Sequence, residues 1–166
     1  YVKVEQLADI FIVLPTFFAT SILVAFSKTF ISIVYSRHKG VWTEYKLWYF
    51  GIALFLITTF ALKTPFSKPA RSVSYSPKYT AKIGASIAVM SILLSLAFAG
   101  MFLALIAGGF VLIGSAGLAM CIIDALFDTF PVAPMNGKMI FKVSKKVWLL
   151  LFLTTLSIYI AWLLLA

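Results

Sequence analysis

Three ionisable side chains lie within or at the ends of apolar runs: Lys28 in one, Asp124 and Asp128 at the close of another. The two aspartates are four residues apart, so on a helix they share one face. A charge in hydrocarbon is costly, and an ammonium paired with a carboxylate offsets part of the desolvation of both. Two readings follow. In one, Lys28 and an aspartate form a buried ion pair. In the other, Lys28 snorkels to the headgroups and the aspartates are helix-end groups at the interface. Other chemistry is sparse. The single histidine, His38, reads as a loop residue and offers no triad with a serine and an aspartate. The single cysteine, Cys121, lies in an apolar run, permits no intrachain disulfide and reads as a packing residue.

The elements that must position these groups are set by composition. Of 166 residues, 63% are hydrophobic and only 11% are charged, against about 25% charged in an ordinary soluble domain. With mean hydropathy at +1.07, the chain reads as a single all-α integral membrane domain over residues 1–166. Apolar runs cover Ile10–Ser27, continuing past Lys28 to about Tyr35, then Leu47–Leu62, Ile83–Ile123 and Val147–Ala166. The third run has 41 uncharged residues, about twice what one helix needs to span. Gly108-Gly109 near its middle is the natural break. The expectation is therefore a bundle of about five transmembrane helices. The shortest span, Leu47–Leu62, has 16 residues and is open to a re-entrant reading. Pro15 is a candidate kink in the first helix. Trp148 and Trp162 read as interfacial anchors of the last. Gly100, Gly108, Gly109, Gly114 and Gly117 supply small faces for close helix contact, and the methionines read as core fillers. Connections at 36–46 and around 71–75 carry β-prone residues.

Net charge is +9. In a soluble protein that balance would suggest nucleic acid, but here the basic residues punctuate membrane spans, so no nucleic-acid partner is expected. With five spans, the N-terminus and the connections at 63–82 and 128–146 share one side with 10 Lys and Arg, against 3 on the other. The richer side is expected to be cytoplasmic, in a plasma membrane. A re-entrant second segment would undo that count.

The stretch Phe127–Gly137 reads F-D-T-F-P-V-A-P-M-N-G. It resembles the N-x-x-P-x-x-P-L-D-G motif of site-2-protease-type intramembrane zinc proteases, matching at Pro131, Pro134 and Gly137. The aspartate of that motif, a zinc ligand, corresponds to Asn136, and its asparagine to Asp128. Gly40–Tyr45 resembles the G-x-x-A-E-[FY] stretch that follows the family's H-E-x-x-H helix, and the usual spacing places that motif on Lys28-Thr29-Phe30-Ile31-Ser32. Lys82–Phe98 resembles a further helix of the family, and Lys142–Leu153 looks like its archaeal short members. The resemblance implies an all-α bundle with a Pro-rich intramembrane loop, and a former active site at Lys28, Thr29, Ser32, Asp128 and Asn136.

Catalytic zinc takes three protein ligands and an open water position, with a glutamate to activate the water. The corresponding positions hold Lys28, Ser32 and Asn136, with Thr29 for the glutamate, so neither zinc nor any other cofactor is expected. The resemblance implies a degenerate, pseudoprotease scaffold, not an enzyme. The function expected is a non-catalytic membrane subunit that supports or regulates a larger complex, with other membrane protein subunits and lipid as partners. An adaptor that binds client transmembrane helices is the alternative, and a small transporter or channel a further one. A fixed ammonium at Lys28, where a divalent cation sat, would hold Asp128 electrostatically.

Overall fold

The structure is a computed structural model that describes residues 7–62, 70–77, 79–132 and 135–165. Among them six helices and two strands follow in the order α1 (Leu7–His38), β1 (Trp42–Leu47), α2 (Tyr49–Leu62), β2 (Ala70–Tyr75), α3 (Ala81–Ala107), α4 (Val111–Thr129), α5 (Gly137–Val143) and α6 (Lys145–Leu165). α1, α3, α4 and α6 are long and apolar enough to cross a membrane. The protein is an all-α membrane bundle with a two-stranded ribbon at one end.

Glycines end two of the long helices. After α1, Gly40 takes a φ of 70°, a left-handed conformation that costs glycine little. Its N–H donates to the Arg37 carbonyl, and that of Val41 to the Ser36 carbonyl, a Schellman closure. The same pair of bonds closes α3: Gly109, with φ of 91°, donates to Ile106, and Phe110 to Leu105. The break expected at Gly108-Gly109 is thus the turn of a helical hairpin. α3 and α4 then pack along their length. A Cβ on Gly117 would fall 2.3 Å from the Phe102 ring, and one on Gly114 3.0 Å from the Phe102 carbonyl oxygen. Those two glycines make the close contact expected of them. Gly100 does not, since a Cβ there would meet nothing within 4 Å. Helix α1 continues through Pro15.

The second apolar run departs from the expected span. α2 has 14 residues, about 21 Å of helix, short of a hydrocarbon core of about 30 Å. The ribbon explains why. β1 and β2 are antiparallel with Leu47 opposite Ala70, so the chain that leaves at one comes back to the same place. The two ends of the intervening segment therefore lie together, and α2 packs extensively on no other element among the described residues. Among the described residues four helices have the length and composition of a span, against about five expected. The end of α1, the ribbon and the start of α3 share one end of the bundle, where the Tyr35 and Ser86 hydroxyls lie 2.7 Å apart. Arg37, Lys39 and Lys46, assigned above to the opposite side, belong to the same end as Arg71, Lys82 and the four lysines between 138 and 146.

α6 is fixed from inside. The Trp148 indole N–H donates to the Thr129 carbonyl at 2.7 Å, and the Thr155 hydroxyl lies 3.4 Å from that of Thr129. Trp148 thus turns its polar atom to the bundle instead of the headgroups. The core has two parts: Val24, Ala99, Phe102, Cys121 and Ile122, and Ala88, Ile92, Ile140 and Leu151. Met139 packs against the second, whereas Met101 is 46% exposed and is no core filler.

Candidate functional site: a buried ion cluster

On α1, Thr20, Val24, Lys28, Ser32 and Ser36 recur every four residues and are all buried. They form one inward stripe, polar at four of five positions. Ser91 and Ser95 on α3 have the same spacing and are likewise buried. Asp124 and Asp128 complete the set from α4. The stripes meet at Lys28. Its ammonium pairs with the Asp124 carboxylate and with Asp128 Oδ2 at 2.8 Å. The Ser95 hydroxyl donates to Asp124 Oδ2 at 2.9 Å, and that of Ser91 to Asp128 Oδ2 at 3.1 Å. Three helices are thereby joined through the two carboxylates.

Of the two readings of Lys28, the geometry selects the ion pair and enlarges it: the lysine holds both aspartates. Lys28 is 8% exposed and Asp128 2%, so both are enclosed by the bundle. Ions this deep stabilise a fold only where further hydrogen bonds occupy their remaining lone pairs and protons. The serines do that for the carboxylates. Their i, i+4 spacing within the long uncharged run was a signal available in the sequence, although reading by charge alone passes over it.

β1 packs against the end of α1 and brings Tyr45 to this centre. Burial pushes the Tyr45 phenol above its ordinary value, and the neighbouring Ser32 hydroxyl and Lys28 ammonium act in the opposite direction. The residue is 40% exposed overall, so its ring edge is wet while its hydroxyl points inward. Ser32, one turn beyond Lys28, is 2% exposed, and its Oγ, although beside Tyr45, meets no partner in full hydrogen-bonding geometry among the described residues. A buried hydroxyl left unbonded costs its desolvation, about 1–3 kcal/mol. Ser32→Ala is therefore expected to leave stability unchanged or raise it by about 1 kcal/mol, read as the thermal midpoint in lipid nanodiscs. A loss of that size would show that the hydroxyl is engaged.

The remaining expected positions stand apart. Thr29 is half-buried on α1, and Asn136 is the N-cap of α5 without a side-chain cap bond. Neither bonds to the cluster among the described residues. Pro131 is exposed in the bend after α4, Gly137 is buried at the start of α5, and Pro134 lies outside the described residues. His38 is the exposed last residue of α1 rather than a loop residue. Among the described residues, no three His, Cys, Asp or Glu side chains gather as a metal-ligand set. Comparison with known protein families, with characterised proteins and with solved structures finds no match to this chain.

Proposed function

We propose that this protein is a non-catalytic membrane subunit that supports or regulates a larger membrane protein complex, on a site-2-protease-like scaffold that has lost its zinc site. The observation that carries the reading is the double pairing of Lys28. The ammonium stands where the resemblance places the first histidine of H-E-x-x-H, and it holds Asp128 at 2.8 Å, the residue at the asparagine position of the Pro-rich motif. The polar centre is thus occupied by a tethered cation, and both carboxylates are engaged in holding helices together.

The lateral surface suits a subunit. Phe11 is 77% exposed, Phe18 68%, Phe26 71% and Phe30 60% along α1, an apolar face for lipid or a neighbouring helix. The basic residues gathered at the ribbon end favour that end being cytoplasmic. One feature favours a second reading: α2, with Tyr49 79% and Phe60 83% exposed, is an apolar helix free to grip the transmembrane helix of a client, as an adaptor would.

Native mass spectrometry of the protein gently extracted from its own membrane separates these. The expected result is a defined complex with unit stoichiometry. Substoichiometric and variable partners would favour the adaptor, and a partnerless monomer or homo-oligomer would overturn the subunit.

A further inference from the structure

The elbow between α5 and α6 carries four lysines in nine residues: Lys138, Lys142, Lys145 and Lys146. Its inner side is fixed by Ile140, 2% exposed, and by the Trp148 indole bonded to Thr129. Its outer side presents Lys142, Lys145 and Lys146, all exposed. None of the four is in an ion pair among the described residues, and the sequence after Asp128 contains no Asp or Glu. Lys145 and Lys146 moreover open α6, so they add positive charge at the positive end of the helix dipole, where an anion is favoured instead.

Apolar surface continues directly from this charge. Val143 is 40% exposed, Val147 43% and Leu150 67%, at the head of a helix apolar enough to cross the membrane. Beneath them the Phe141 ring meets Trp148 edge-on at 5.0 Å, Trp148 stacks on Phe152 at 5.4 Å, and the Lys145 ammonium lies 5.5 Å from the Phe141 ring centre. A phosphate beside the lysines would thus carry its acyl chains onto Val147 and Leu150, with the aromatic rings holding the elbow rigid at headgroup depth.

We infer that the α5–α6 elbow is a binding site for the phosphate headgroup of an anionic phospholipid. Its ligand chemistry is a phosphate monoanion continuous with hydrocarbon, and the adjoining apolar residues commit it to lipid over free phosphate. A juxtamembrane lysine is worth about fivefold in binding to an anionic lipid, so three together are worth about a hundredfold.

The test uses the full chain, delipidated in detergent and titrated with phosphatidylglycerol or phosphatidylcholine, with retained lipid counted by native mass spectrometry. The wild type should keep one phosphatidylglycerol at concentrations where it keeps no phosphatidylcholine. The triple variant Lys142→Gln, Lys145→Gln, Lys146→Gln should need about a hundredfold more, while Lys39→Gln with Lys46→Gln at the ribbon should bind as the wild type does. The thermal midpoint of each variant without lipid checks its fold. Lys145→Gln alone, expected to weaken retention about fivefold, serves if the triple variant misfolds. Equal retention of the two lipids, undiminished retention by the triple variant or by Lys145→Gln, an equal loss in the ribbon variant, or displacement by millimolar inorganic phosphate would each overturn the assignment.

Discussion

Lys28→Met is expected to destabilise the bundle by about 3–5 kcal/mol, the range for removing one partner of a buried ion pair. The cause is less the lost attraction than what remains, since Asp124 and Asp128 would keep their negative charges between α1, α3 and α4 without the ammonium. Asp128→Asn is expected to cost less, because Lys28 keeps Asp124. The double variant Lys28→Met, Asp128→Asn should then be more stable than the sum of the single losses predicts, by about 1–3 kcal/mol. Adding Asp124→Asn should recover most of the remainder, as an uncharged cluster can do in other buried sites. Chemical or thermal unfolding in nanodiscs reads each variant. Additive losses in the double variant would show that the lysine and Asp128 act independently, and the tethered-cation account of the site would fail with them.

How much of this was legible in the sequence depends on the range of the interaction concerned. Helix ends set by local chemistry were readable. Gly108-Gly109 had to be a break because 41 uncharged residues overshoot the bilayer as one helix, and the structure closes α3 there with two backbone bonds. The strand signals at 42–45 and 71–75 were also local. What sequence could not give was their pairing. The bond register that sets Leu47 opposite Ala70 joins residues far apart in the chain, and it brings the two ends of the segment around the second apolar run together. The side assignment of Arg37, Lys39 and Lys46 changed with it.

The candidate site divides in the same way. Lys28, Asp124 and Asp128 stood out because charge in an apolar run is conspicuous. Ser91 and Ser95 are ordinary helix residues until the carboxylates face them, and Tyr45 read only as a β-prone residue and as the end of the Gly40–Tyr45 resemblance. Thr29 and Asn136 entered through the resemblance alone, and no bond joins them to the cluster among the described residues. The part of the site that rested on electrostatics is the part the structure assembles.

Gly137 is the one residue of the Pro-rich motif whose structural demand can be measured directly. A Cβ built there would stand 2.1 Å from the Thr129 carbonyl oxygen, 2.4 Å from its carbon and 2.6 Å from the Phe130 oxygen. All three are backbone atoms, so no side chain can rotate to make room. The same Thr129 carbonyl accepts the Trp148 indole N–H, so moving it to admit a methyl would loosen α6 as well as α5. Gly137→Ala is accordingly expected to cost about 3 kcal/mol, at the upper end for overpacking a tight contact. Gly100→Ala supplies the contrast. It lies mid-helix with open space around it, and it should gain up to about 1 kcal/mol from helix propensity. Opposite signs for the same substitution at two glycines would mean that Gly137 is required by the approach of α5 to the end of α4. Should Gly137→Ala unfold at the wild-type midpoint, that approach would be looser than the geometry requires.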